Sequence, residues 1–158
     1  MRGLSAPTLV LNRPLFPWLT ATVVLVADAV TKGVAQTALV DRAVSVGPVH
    51  LHVIGNAGVS FSWLSTTPTI GFVLVAATAA AVGALALRSQ PGWAAFGCGL
   101  VVGGATGNVA DRMGLPSHHV VDFIGIGELF VCNVADVAIT FGVIVLGVLL
   151  LRGQSLTR

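Results

Sequence analysis

Four stretches of the chain, residues 18–36, 70–87, 93–110 and 133–151, are mostly apolar, and two longer polar segments separate the first from the second and the third from the fourth. A helix that crosses a bilayer needs about 20 mostly apolar residues. The pattern therefore predicts an all-α membrane protein, a bundle of four transmembrane helices. The four runs are rich in Val, Leu, Ala and Gly, and small side chains let helix backbones approach closely in lipid.

The segment after the first run changes period. Val49, His50, Leu51, His52 and Val53 alternate apolar and polar, which predicts a short strand with the apolar residues on one face and the histidines on the other. Pro48, Gly55 and Gly58 punctuate it. A small extramembrane β element in the first outer loop, lying over the bundle, is expected.

Composition agrees with this picture. Hydrophobic residues make up 55% of the 158, and only 9% are charged. A soluble domain of this size needs far more charge on its surface. The length suits a single domain over 1–158. A net charge of +2, from eight basic and six acidic residues, points away from nucleic acid. Arg2 and Arg13 precede the first run as they would in a signal peptide. That run is longer than an ordinary signal core and contains Asp28 and Lys32, so a retained anchor is expected. Cys98 and Cys132 lack metal-ligand spacing and read as small buried side chains.

The charges also orient the bundle. With four spans, both termini and the turn at 88–92 share one side, which holds Arg2, Arg13, Arg88, Arg152 and Arg158. The other side holds Lys32, Arg42 and Arg112, each close to Asp28, Asp41 or Asp111. Positive charge stays inside, so cytoplasmic termini and outward-facing loops at 37–69 and 111–132 are expected. Trp18, Trp63 and Trp93 fall near the predicted interfaces, where tryptophan anchors a helix. Trp63 is also a candidate for a lid.

Ionisable groups inside such a chain are costly and mark function. Asp28 and Lys32 are four apart, and Asn108 precedes Asp111 and Arg112 by three and four. Asn133 and Asp136 are three apart. Each set shares a helix face. With a fourth helix starting near Asn133, Asp136 lies about 5 Å below its start. Asp28 has Lys32, and Asp111 adjoins Arg112. Asp122 and Asp136 have no cation at helical spacing in their own segments. Two poorly solvated carboxylates share a proton, so that one activates water while the other polarises a carbonyl, the division of labour of aspartic proteases. Interhelical glue or an ion pathway is the alternative reading of the same spacing.

At these residues the chain resembles the lipoprotein signal peptidases, the type II signal peptidases of bacteria. Asp28-Ala-Val-Thr31-Lys32 is similar to the family's first-helix motif. Asn56-Ala-Gly58-Val-Ser60-Phe-Ser62 resembles its Asn-x-Gly-Ala-Ala-Phe-Ser box. The run Gly103 to Arg112 resembles its Gly-Gly-Ala-x-Gly-Asn-x-x-Asp-Arg box. Val120-Val-Asp122-Phe123 and Asn133-Val-Ala-Asp136 resemble the two boxes with catalytic aspartates. Val59-Ser60, Ala110 and Cys132 depart from the usual residues, and none removes a polar group that the chemistry needs.

The resemblance implies an aspartyl endopeptidase that needs no metal or cofactor. It would cut diacylglyceryl-modified prolipoprotein just before the lipidated cysteine, at the outer face of the bacterial cell membrane. By motif position Asp122 and Asp136 inherit catalysis, while Asp28, Lys32, Asn56, Gly58, Asn108, Asp111, Arg112 and Asn133 bind substrate or brace the site. Either Lys32 or Arg112 could meet a lipid headgroup. A monomer among membrane lipids, sensitive to a globomycin-type inhibitor, is expected.

Rival chemistry has thinner support. Gly58-Val-Ser60 lacks a complete nucleophile-elbow motif. Gly125-Ile-Gly-Glu128 only faintly resembles the Gly-x-Gly-Asp motif of another aspartyl protease class. His50, His52, His118 and His119 lack a third ligand at metal spacing. His119, three residues before Asp122, could tune that acid. A proton-coupled carrier would spread its acids through the membrane depth or show inverted repeats, and neither pattern is present.

Overall fold

Helices occupy all four predicted stretches in the computed structural model, which describes residues 15–40, 42–56, 68–89, 92–114, 119–127 and 130–157. They are α1 (Leu15–Ala38), α2 (Pro68–Arg88), α3 (Trp93–Gly114) and α4 (Val134–Leu151). Three of them, α1, α3 and α4, are long and apolar enough to cross a membrane, and α2 carries a shorter apolar stretch, Phe72–Arg88.

The central helix is α3, which packs against α1, α2 and α4. Its glycines make this possible. A Cβ on Gly99 would sit 2.5 Å from the Pro17 carbonyl, and one on Gly103 2.6 Å from the Ala21 carbonyl, both on α1. On the side facing α4, a Cβ on Gly104 would run into the Ala135 carbonyl. Close backbone approach of this kind lets a bundle pack tightly without a hydrophobic driving force between helices.

The helix α3 extends beyond the expected end near residue 110, so Asp111 and Arg112 belong to it and not to an outer loop. The physical reason is local. The Arg112 guanidinium turns back and donates to the Asn108 carbonyl at 3.0 Å, and Asp111 finds partners across the helix interface. The polar residues that suggested a loop are thus satisfied within the bundle.

The two polar segments between helices form one antiparallel sheet, in the order β1 (Val44–Val46), β2 (Val49–Asn56), β3 (Val120–Ile126), β4 (Phe130–Cys132). The predicted strand 49–53 lies within β2. The strands β1, β3 and β4 were not expected. The predicted alternation also ends early. Leu51 pairs with Ile124, but Ile54 pairs with Asp122, so β2 spends three residues where β3 spends two. This bulge reverses which residues face each side. Val49 and Leu51 share the Asp122 face, and after the bulge so do Ile54 and Asn56.

Candidate active site

Asp122 sits in the middle of β3 and is only 2% exposed. Its two oxygens accept from two amides. Asn56 Nδ2 donates to Oδ2 at 2.8 Å, and Asn133 Nδ2 donates to Oδ1 at 2.6 Å. The β2 bulge makes the first bond possible, because without it Asn56 would face the other side of the sheet.

Asn133 caps α4. Its side-chain oxygen accepts from the Asp136 N–H at 3.0 Å, while its own N–H donates to Asp136 Oδ2 at 3.2 Å. This is a capping box with Asp in place of Glu. A carboxylate in the first turn also suits the helix dipole. The same residue therefore holds both acids, Asp122 by its side-chain amide and Asp136 by its cap. Asn108 Nδ2 completes the set by donating to Asp136 Oδ1 at 2.8 Å.

A second polar cluster lies directly behind. Lys32 Nζ reaches Asp28 Oδ2 at 2.6 Å, Asp111 Oδ2 at 2.8 Å and Asn108 Oδ1 at 3.2 Å. Asp28 Oδ1 accepts from the Ala135 N–H at 2.9 Å, which satisfies another open donor at the start of α4. Asp111 Oδ2 accepts from the Val121 N–H at 3.1 Å and fixes the strand beside Asp122. Among the described residues every buried side-chain nitrogen and oxygen has a partner.

Asp122 and Asp136 line a cavity of about 370 Å³. Asn56, Asn108 and Arg112 contribute its polar wall. Apart from Thr140 and Cys132 the rest is apolar, with Val75 of α2, Ile126 of β3, Phe130 of β4, and Ile139 and Phe141 of α4. Burial pushes the Asp122 carboxyl up to about 6, opposed by the Asn56 bond and reinforced by the negative charge of Asp136. Cys132 also lines the cavity. Burial, then the charges of Asp136 and Asp122, raise its thiol to about 11. Paired carboxyls in such a place can hold one proton between them.

Of the site residues picked from sequence, Asp28, Lys32, Asn56, Asn108, Asp111, Arg112, Asp122, Asn133 and Asp136 come together here. Gly58, Ser60, Trp63, Asp41, His118 and Glu128 lie outside the described residues. Lys32, buried among three acceptors, is no candidate for a headgroup contact. His119 stands against Gly55, which pairs with Val121 and so faces away from Asp122. It does not tune that acid. His50 Nδ1 is 2.8 Å from the Ser45 hydroxyl. Among the described residues no group of three or more His, Cys, Asp or Glu could hold a metal ion. The apolar wall was missed. The run Val120-Val121-Asp122-Phe123-Ile124, rich in β-branched and aromatic side chains, was the signal that could have announced β3.

A family model described as signal peptidase (SPase) II matches residues 20–152. The lipoprotein signal peptidase of Rhodococcus jostii is 41% identical over 115 residues, 66% of this chain and 55% of that protein. That of Mycolicibacterium smegmatis is 39% identical over 142 residues, 84% of this chain and 60% of that protein. For Mycobacterium leprae the identity is 38% over 142 residues, covering 84% of this chain and 70% of that protein. The chain thus spans between about half and two thirds of the length of these relatives. A bacterial membrane enzyme solved by the in meso method at 2.3 Å resolution superposes with a TM-score of 0.76 at 28% identity, covering 86% of this chain and 87% of that one. With the matched region taking in every residue of the amide-braced acid pair, the chain belongs to the signal peptidase II family.

Proposed function

We propose that this protein is an aspartyl endopeptidase that removes signal peptides from diacylglyceryl-modified prolipoproteins, cutting just before the lipidated cysteine. The observation that carries the reading is the acid pair itself. Asp122 and Asp136 are braced by neutral amides, share Asn133 and open onto a largely apolar cavity.

In the proposed reaction the pair holds one proton and a water. The ionised carboxylate takes a proton from the water as it attacks the scissile carbonyl, and the protonated carboxyl donates to the carbonyl oxygen. The proton then passes to the leaving amine. The apolar wall suits a lipidated, hydrophobic substrate. Asn56, Asn108, Arg112 and Asn133 orient the acids or meet the peptide, with Gly58 in the neighbouring segment. No metal or cofactor takes part. A globomycin-type peptide would compete for the same cavity.

The proposed setting is a single four-span domain over 1–158, a monomer in a bacterial cell membrane. α2 supplies the fourth span. Termini are cytoplasmic and the sheet faces outward. A backbone bridge between Ser89 and Thr157 supports this arrangement, because it brings the α2–α3 turn beside the C-terminal segment.

The test uses purified protein in lipid nanodiscs with a diacylglyceryl lipobox peptide. Wild type should cleave it, and D122N and D136N should each lose about 10³-fold or more in rate while remaining folded. Undiminished cleavage by either variant would sink the dyad. Inert wild type that carries ion flux in liposomes would favour a carrier.

A further inference from the structure

We propose that Lys32 is a positioning residue for the acid pair and works through the side-chain amide of Asn108 without touching substrate. The proposal rests on the function proposed above and deepens it.

A primary amide can sit in either of two orientations, one exposing oxygen and the other nitrogen to a given neighbour. Next to Asp136 that choice matters, since a carboxylate oxygen facing an amide oxygen repels it. Asn108 Oδ1 is the end held by Lys32 Nζ, at 3.2 Å, and also by Asn133 Nδ2, also at 3.2 Å. An ammonium group only donates, so it selects the oxygen. Nδ2 is then left to face Asp136 Oδ1, 2.8 Å away. The ammonium is fixed in turn by Asp28 and Asp111. Lys32 is 4% exposed and is not among the residues that line the cavity.

Among the described residues the charged and titratable surroundings come from five of the elements packed around the pair. They are Asp28 and Lys32 on α1, Asp111 and Arg112 on α3, Asp122 on β3, Cys132 on β4 and Asp136 on α4. A donor aimed at the pair, with a cation behind it, favours the singly ionised state that the reaction needs. Loss of the cation leaves the Asn108 oxygen held by Asn133 Nδ2 alone and removes the positive charge behind the amide, which weakens that preference. The pair as a whole should then ionise at higher pH.

The experiment compares wild type with K32Q, which keeps a donor for the two flanking aspartates but removes the charge. Two readouts are taken in nanodiscs. One is the pH profile of kcat and KM for the lipobox peptide. The other is the infrared titration of the pair, taken as the carboxyl absorbance lost in D122N and D136N. The expected result is an acid limb and an infrared titration both moved up by about one pH unit, roughly tenfold lower kcat on that limb, and KM within about twofold.

An equal loss of rate at every pH, with an unmoved infrared titration, would overturn the proposal and leave Lys32 a structural brace. A raised KM with unchanged kcat would also overturn it, by making Lys32 a substrate contact. Should wild type prove inert while the infrared titration still moves in K32Q, the proposed protease function fails and the Lys32–Asn108 link stands. If K32Q does not fold, N108A, which leaves the three ions in place, is expected to shift the titration in the same direction, and an unmoved titration would refute the link.

Discussion

The bundle holds two pairs of acids almost back to back, one member of each fully buried, and it treats them differently. Asp28 and Asp111 share a cation, Lys32, at 2.6 and 2.8 Å. Asp122 and Asp136 receive amides from Asn56, Asn108 and Asn133. The inner pair, joined by this cation and by the Asp28 bond to the Ala135 N–H, serves as a fastener between α1, α3 and α4. Amides orient a carboxyl without fixing its proton. The outer pair is the one that faces the cavity.

The contrast can be broken most directly at the fastener. Asp28→Leu leaves one less acid around Lys32 and opens a donor at the start of α4. Removal of one partner from a buried pair costs about 3–5 kcal/mol, so thermal unfolding in nanodiscs should show a large loss. If Asp28→Leu instead melts like wild type and loses only activity, the two pairs are not different in kind. Asn133→Ala acts on both acids at once. It should cost about 2 kcal/mol through the lost cap and the freed carboxyl partner, and cleavage should fall more steeply than stability.

A pH series sharpens the comparison further. The Asp122 carboxyl, at about 6 when folded against an ordinary 3.8, binds its proton more tightly in the native state than in the unfolded one. Its contribution to stability therefore declines as pH rises from about 4 to 6 and stays low above that. In D122N this decline is absent. The stability of D122N relative to wild type should grow by about 2 kcal/mol between pH 4 and pH 7, read from melting curves across the series. A constant difference would mean that Asp122 is ordinary. The smallest effect belongs to Cys132. With its thiol at about 11 it is almost wholly protonated at neutral pH. Alkylation followed by mass spectrometry should run at least tenfold slower there than in the unfolded chain.

Much of this contrast could be read from the sequence, because charge is scarce in it. With six acids in 158 residues, each stands out, and a cation four residues away was enough to separate Asp28 from Asp136. Helix existence was equally legible from the length of the apolar runs. The sheet was not. Its strands pair Asn56 with Val120 and Ile54 with Asp122 across a long separation in sequence, and no local pattern reports such partners. The bulge is likewise a property of two strands together. The end of α3 was misjudged because Asp111 looked solvated until its partner on α1 was known. The apolar wall mixes residues from α2, α4 and the sheet, which only the folded chain brings to one place.

The sheet has a further consequence, in time instead of space. Asn56 is supplied by the first polar segment, Asp122 by the second and Asp136 by the last helix. A chain emerging from its N-terminus therefore holds no finished site until α4 is made and docked on α3. Half-built copies carry the acids apart, and the growing chain stays a bystander among its neighbours until its last helix arrives.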